Sequence, residues 1–289
     1  MISRVKGTQD FLDLSLFNAI VDQCKRQAAV YGFTEIATPI LEHTELFKRS
    51  LGLHTDVVNK EMFIIQTSSE NDESESICLR PEATASIVRA FVENHVQQTP
   101  WKVFTYGPMF RHERPQKGRY RQFHQISLEI IGSAAVAQDV QLIKMLDRFF
   151  SEKLLCSNYA LHINYLGCAQ DRAAYTATLK KFLDSVSNYL CPLCTERKEK
   201  NILRIFDCKN PNCQQVYTKA PHITDALCTA CATEWHQLQE QLSLLSVSYH
   251  HNPTLVRGLD YYSKTVFEFV SGNLGAQNAF CAGGRYDQL

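Results

Sequence analysis

Between Trp101 and Gly132 the chain reads WKVFTYGPMF, then RHERPQKGRY, then RQFHQISLEIIG. Two strand-like runs flank a loop of Arg, Lys, Pro and Gly, a pattern that predicts a long antiparallel hairpin. Along the second run, period two sets Ile126, Leu128 and Ile130 on one face, suited to a core, and Gln125, Ser127 and Glu129 on the other. The loop carries Arg111, Arg114, Lys117, Arg119 and Arg121 against a single acid, Glu113. Arginine presents a fixed planar fork that matches phosphate oxygens, which lysine lacks. Charge alone reads equally well as a solvated basic hairpin. The Gln, Ser and Glu face behind the loop shifts the reading to a polar pocket that meets a phosphate, because buried amides and carboxylates need partners.

Upstream, residues 15 to 31 place Leu16, Ile20, Val21, Ala28 and Tyr31 at helical spacing, with Gly32 as the stop. Phe33 to Ile40 is β-rich, but Pro39 confines it to a strand edge or an interface. Asn71 to Ser76 (NDESES) reads as a hairpin tip or loop, and Arg80 to Asn94 as a helix with Pro81 in the first turn. Downstream, Val140 to Leu155 is helical, Ala160 to Leu166 a strand, and Val266 to Val270 a strand again. The block between 169 and 248 carries two helical pieces around a cysteine cluster and reads as an insertion into one β-containing domain. The organisation predicted is α+β: 1–168 as the first part of a core, 169–248 as a mainly helical, cysteine-rich insertion, and 249–289 as the second part of the core.

The composition agrees with a globular chain of two domains: 289 residues, 45% hydrophobic and 21% charged. Thirty basic residues offset thirty acidic ones, which argues against a binder driven by a global cationic field but leaves room for a local patch. No apolar run approaches the roughly 18 residues a membrane helix needs, and Met1 to Asp10 lacks the apolar stretch of a signal peptide. A cytosolic location follows as the expectation. Eleven cysteines in a reducing compartment do not form a disulfide framework. Two knuckles, Cys191-x2-Cys194 and Cys228-x2-Cys231, suit a structural zinc site, with Cys208-x4-Cys213 as an alternative pair. Six thiols for four positions leave the pairing open; the outer knuckles are the set preferred, against a reading of plain reduced thiols. Arg197, Lys198, Lys200, Arg204, Lys209 and Lys219 surround the cluster. They face either a nucleic-acid partner or solvent, and the solvated face is preferred.

Phe110 to Gln125 (FRHERPQKGRYRQFHQ) closely resembles motif 2 of class II aminoacyl-tRNA synthetases in the histidine-specific form. Leu79 to Thr84 (LRPEAT) resembles the family's R-P-E-x-T element, and Leu255 to Glu268 (LVRGLDYYSKTVFE) its R-G-L-D-Y-Y signature. Gly283 to Asp287 (GGRYD), Lys6 to Asp10 (KGTQD) and the motif 1 region Tyr31 to Gly52 fall in the family's order. The resemblance implies an antiparallel class II sheet flanked by helices, homodimerisation through the motif 1 region, and L-histidine, ATP with Mg²⁺, and tRNA(His) as partners. It further implies that Arg111 holds the α-phosphate and the amino-acid carboxylate, with Glu113, Arg119 and Phe123 on ATP. Glu82 and Thr84 would take the α-ammonium group. Gln125, Glu129, Tyr261 and Tyr262 would line the histidine pocket, and Arg257 would be a fixed cation at the reacting carboxylate and α-phosphate. The reaction implied joins the histidine carboxylate to the α-phosphorus with loss of pyrophosphate, then passes the histidyl group to the tRNA ribose. No enzyme nucleophile is needed, only positioning and charge stabilisation.

The family's motif 3 and its anticodon-binding domain do not occur in these residues. The expectation is therefore a truncated core, weakly active or inactive alone. The competing expectation is a synthetase-like regulatory subunit of ATP phosphoribosyltransferase in histidine biosynthesis, from which the catalytic arginine signature would be lost.

Overall fold

A computed structural model describes residues 2–52, 55–66, 76–116, 118–274 and 278–289. The chain forms two compact units, Met1–Asn158 with Gly272–Asn278 and Leu289, and Tyr159–Ser271 with Ala279–Gln288. Strands and helices together make an α+β protein.

The first unit runs α1 (Ser15–Val30), β1 (Thr34–Glu35), β2 (Leu41–His43), α2 (Thr44–Leu51), β3 (Phe63–Ile65), β4 (Ile77–Leu79), α3 (Thr84–Glu93), β5 (Trp101–Phe110), β6 (Gln122–Ile131) and α4 (Val136–Arg148). The predicted hairpin is β5 and β6, antiparallel and in unbroken register from Trp101↔Ile131 to Phe110↔Gln122, with β1 parallel on the other edge of β5. A smaller sheet has the order β2-β4-β3. Gly32 ends α1 with φ +79°, a conformation in which a Cβ is unfavourable. Most of the NDESES stretch, between β3 and β4 in sequence, lies outside the described residues.

The hairpin is covered on both faces. Leu128 and Ile130 pack with Ala28, Phe33, Phe104 and Met145, while Phe123 and Ile131 pack on the opposite side with Ala83, Ile87, Val103 and Met109. The face expected to be core is only partly buried at Ile126, Leu128 and Ile130, whereas Ser127 and Glu129 are buried. The reason is the N-terminal turn of α3, which brings polar groups to that side and lets the carboxylate enter with a partner. Helix α3 also starts three residues later than Pro81 suggests, at Thr84. Glu82 supplies the missing cap: its carboxylate accepts from the backbone N–H groups of Thr84 at 2.9 Å and Ala85 at 2.8 Å. On α1, Leu16 is exposed, and the buried stripe is Val21, Cys24, Gln27 and Ala28.

The second unit runs β7 (Ala160–Tyr165), α5 (Ala169–Ser185), α6 (Pro192–Lys200), α7 (Pro211–Tyr217), α8 (Thr229–Leu244), β8 (His250–His251), β9 (Ser263–Val270) and β10 (Ala279–Arg285). Its sheet has the order β10-β9-β7-β8, so β7 joins strands that follow it by about ninety residues. That pairing explains why the compact units divide at Asn158 and Tyr159, ahead of position 168. Helices α5 to α8 leave the sheet after β7 and return at β8. Their own core combines Tyr175, Leu179, Leu183, Ile202 and Ile205 with three cysteines, Cys194, Cys208 and Cys213.

Candidate functional site

In the first unit, polar groups converge where the N-terminus of α3 meets β6. Glu82, Thr84, Ser127 and Glu129 are all buried. The Thr84 hydroxyl donates to Glu129 Oε1 at 2.6 Å, and Gln125 Nε2 donates to Ser127 Oγ at 2.7 Å. Burial pushes the Glu82 carboxyl up, while the Ala85 and Thr84 N–H groups and the Arg111 charge pull it down. A carboxylate so placed gains from a cation arriving beside it, because the cation offsets the cost of its desolvation.

At the hairpin tip, the Arg111 Nε–H donates to the Pro81 carbonyl at 2.9 Å, and the guanidinium lies 5.2 Å from the centre of the Phe123 ring. Glu113 is bridged by Arg119 at 2.8 Å and faces Arg111 at 3.9 Å. The fold thus gathers Arg111, Glu113, Arg119 and Phe123 at one place. One neighbour escaped the sequence reading. Glu61 sits close enough for Glu113 to raise its carboxyl, second only to burial as a cause. The amide of His112 donates to the Glu61 carbonyl at 2.6 Å, so the segment before β3 braces the loop. The amide of Arg121 likewise donates to the Gly7 carbonyl at 2.7 Å, which docks the KGTQD segment on the hairpin.

In the second unit, the loop before β9 presents Arg257, Tyr261 and Tyr262. Both tyrosines are buried, with ring centres 4.6 Å apart. The Arg257 guanidinium pairs with Glu268 on β9 and lies 5.6 Å from the Tyr262 ring. Its Nε is buried with no hydrogen-bond partner among the described residues, a donor left for an incoming acceptor. Glu268 was not anticipated as the partner that fixes this arginine; its place on β9 only becomes meaningful once the loop folds back. The helical insertion props the same loop: Arg172 donates to the Tyr262 carbonyl at 2.9 Å, Arg204 to the Arg257 carbonyl at 3.3 Å, and Asn201 to the Asp260 carboxylate at 2.7 Å. A cleft of about 370 Å³ runs between these residues and the loop. In β10, Gly283 pairs with Phe267 and Gly284 with Val266, placing GGRYD against β9.

The cysteines assemble differently from the expected outer knuckles. The sulfur atoms of Cys191, Cys194, Cys208 and Cys213 all lie within 4.8 Å of one another, whereas Cys228 and Cys231 gather with Cys168 and Asp171. Spacing identified the knuckles; the loop between α6 and α7 decides their partners. The Cys191 amide donates to Cys213 Sγ at 3.3 Å and the Asn210 amide to Cys208 Sγ at 3.4 Å. The Cys194 backbone N–H leads the causes that hold the Cys191 thiol down to about 7, while burial pushes Cys194 up. Three of the six basic residues nearby form ion pairs: Lys198 with Asp184, Lys200 with Glu196 and Arg204 with Asp207.

A family profile described as Histidyl-tRNA synthetase matches residues 13–289. A protein named Histidine--tRNA ligase from Clostridioides difficile (strain 630) is 43% identical over 98% of this chain and 67% of its own length. One of the same name from Desulfitobacterium hafniense (strain DSM 10664 / DCB-2) is 45% identical over 100% of this chain and 68% of its own. The crystal structure of apo S. aureus histidyl-tRNA synthetase superposes with a TM-score of 0.76 at 31% identity, covering 99% of this chain and 66% of that one. The chain thus spans about two thirds of the length of these relatives.

Proposed function

The chain belongs to the histidyl-tRNA synthetase family of aminoacyl-tRNA ligases, and we propose that its buried carboxylate and arginine groups activate L-histidine with ATP for transfer to tRNA(His). The observation that carries the reading is the Glu82, Thr84 and Glu129 cluster, buried and hydrogen-bonded beside the hairpin loop that begins at Arg111. Glu82 and Thr84 take the α-ammonium group, where a buried carboxylate needs a cation. Glu129 accepts from an imidazole N–H, with Gln125 beside it on the same strand face. A site whose polar groups are left unpaired by an apolar side chain rejects it strongly.

Arg111 serves the α-phosphate and the amino-acid carboxylate. To do so it exchanges its place over Phe123 for the nucleotide, whose adenine then stacks on that ring while Glu113 accepts from the exocyclic amine and Arg119 turns from Glu113 to phosphate. Arg257, held by Glu268, stabilises charge developing at the α-phosphate, with Tyr261 and Tyr262 as the enclosing wall. Aminoacyl-tRNA synthetases use ATP with Mg²⁺, which here enters as part of the nucleotide substrate. The regulatory-subunit alternative has no support of its own, since the arginine signature whose loss it requires is intact at Arg257.

Three finer points complete the proposal. The motif 1 region, residues 31–52, forms a homodimer contact; Ile40 and Leu41 are 40% and 53% exposed there. Cys191, Cys194, Cys208 and Cys213 hold one structural zinc, consistent with four sulfurs in reach of one ion and backbone N–H groups donating to two of them. The location is cytoplasmic; no helix among the described residues is long and apolar enough to cross a membrane. The function is tested by ATP-dependent charging of tRNA(His) with labelled L-histidine. Label on tRNA(His) and not on other tRNAs supports it; histidine binding without any charging in the full-length protein turns the reading toward a regulatory subunit.

A further inference from the structure

We infer that Cys168, Asp171, Cys228 and Cys231 form a second zinc site, separate from the four-cysteine cluster, that clasps the helical insertion shut at its base. The four ligand atoms all lie within 4.8 Å of one another. Cys168 and Asp171 stand at the start of α5, where the chain leaves the sheet after β7; Cys228 and Cys231 stand at the start of α8, the helix that leads it back to β8. Cys168-x2-Asp171 repeats the two-residue spacing of Cys228-x2-Cys231 with oxygen in place of one sulfur. The site is therefore two knuckles, each at a helix start, facing each other. Three thiolates and a carboxylate are a donor set that suits Zn²⁺ over hard oxygen-preferring cations.

The surroundings are built for a ligand set more than for a helix cap alone. Asp171 is buried, and its two oxygens accept from the Cys168 amide at 3.1 Å and the Cys228 amide at 2.8 Å, so one carboxylate ties both knuckles. A carboxylate offers about four lone-pair positions, so each oxygen keeps one for a metal. Gly167 has φ +64°, and a Cβ there would come within 2.6 Å of Asp171 Cβ and 2.8 Å of Oδ2; the absence of a side chain is what lets the carboxylate sit between the knuckles. Cys231 is buried alongside. Zinc entering here displaces the thiol protons, which leave to solvent. The next residue, Arg172, donates to the Tyr262 carbonyl, so a clasp at Asp171 also fixes a support of the Arg257 to Tyr262 loop. The site stands independently of the proposed ligase activity.

Metal analysis of the purified full chain decides between one site and two. The expected result is two zinc ions per chain, falling to one in Cys228→Ser/Cys231→Ser and to one in Cys191→Ser/Cys194→Ser. No zinc in the unsubstituted protein, or a count that the Cys228→Ser/Cys231→Ser change leaves unaltered, overturns the second site. If that variant does not fold, cadmium-113 NMR of the unsubstituted protein replaces it. Two resonances are expected, the oxygen-containing site lying upfield of the all-sulfur one, and absence of the upfield resonance overturns the proposal.

Discussion

Arg257→Ala lowers the rate of histidine-dependent ATP–pyrophosphate exchange by on the order of 10² to 10³-fold in the full-length protein, the scale of losing one preorganised donor at a developing charge. The loss falls on kcat more than on KM, because an interaction formed mainly in the transition state does not hold the ground state. The structure gives the reason: the guanidinium is fixed by Glu268 and the Tyr262 ring, so it needs no reorganisation when charge appears, and its buried Nε has no partner among the described residues. Lysine is no substitute, since a point charge cannot hold Glu268 and present a second donor together. Arg257→Lys is expected to remain well below the parent rate. The substitution leaves Glu268 partly buried without its partner, so far-UV circular dichroism accompanies the kinetics. Near-normal exchange in a folded Arg257→Ala variant removes this arginine from the mechanism.

Glu129→Gln acts on specificity. Its Oε1 already accepts from the Thr84 hydroxyl at 2.6 Å, and an amide oxygen retains that bond, so the fold of β6 and α3 survives. What is lost is the charge that receives an imidazole N–H. Hydrogen bonds to charged groups contribute about 1.5–3 kcal/mol, so KM for histidine rises roughly 10- to 100-fold while KM for ATP stays within about twofold. An unchanged KM for histidine, measured by pyrophosphate exchange at saturating ATP, takes Glu129 out of the amino-acid pocket.

The hairpin that organises the first unit was legible because each signal agreed: alternation in both strands, and a charged, Pro- and Gly-containing loop between them. Its polar face was legible as chemistry but not as the more deeply buried side, since burial of Ser127 and Glu129 depends on α3 arriving with Thr84 and Glu82. The late start of α3 was hidden for a related reason. Pro81 satisfies the usual first-turn preference, yet the carboxylate of Glu82 caps the helix from just before it. Long-range partners left no local trace: Glu268 beside Arg257, and β7 paired with β9. The cysteines divide the same way. Their knuckle spacing could be read directly, but which knuckle meets which is set by the path of α5 to α8, and Asp171 looks in sequence like an ordinary helix-capping acid.

The central claim, that these buried groups select histidine and activate it with ATP, is tested most directly by ATP–pyrophosphate exchange with each of the twenty amino acids in turn. Exchange is expected with L-histidine alone, abolished by omitting it. Exchange of comparable rate with another amino acid, or a rate indifferent to histidine, would contradict it.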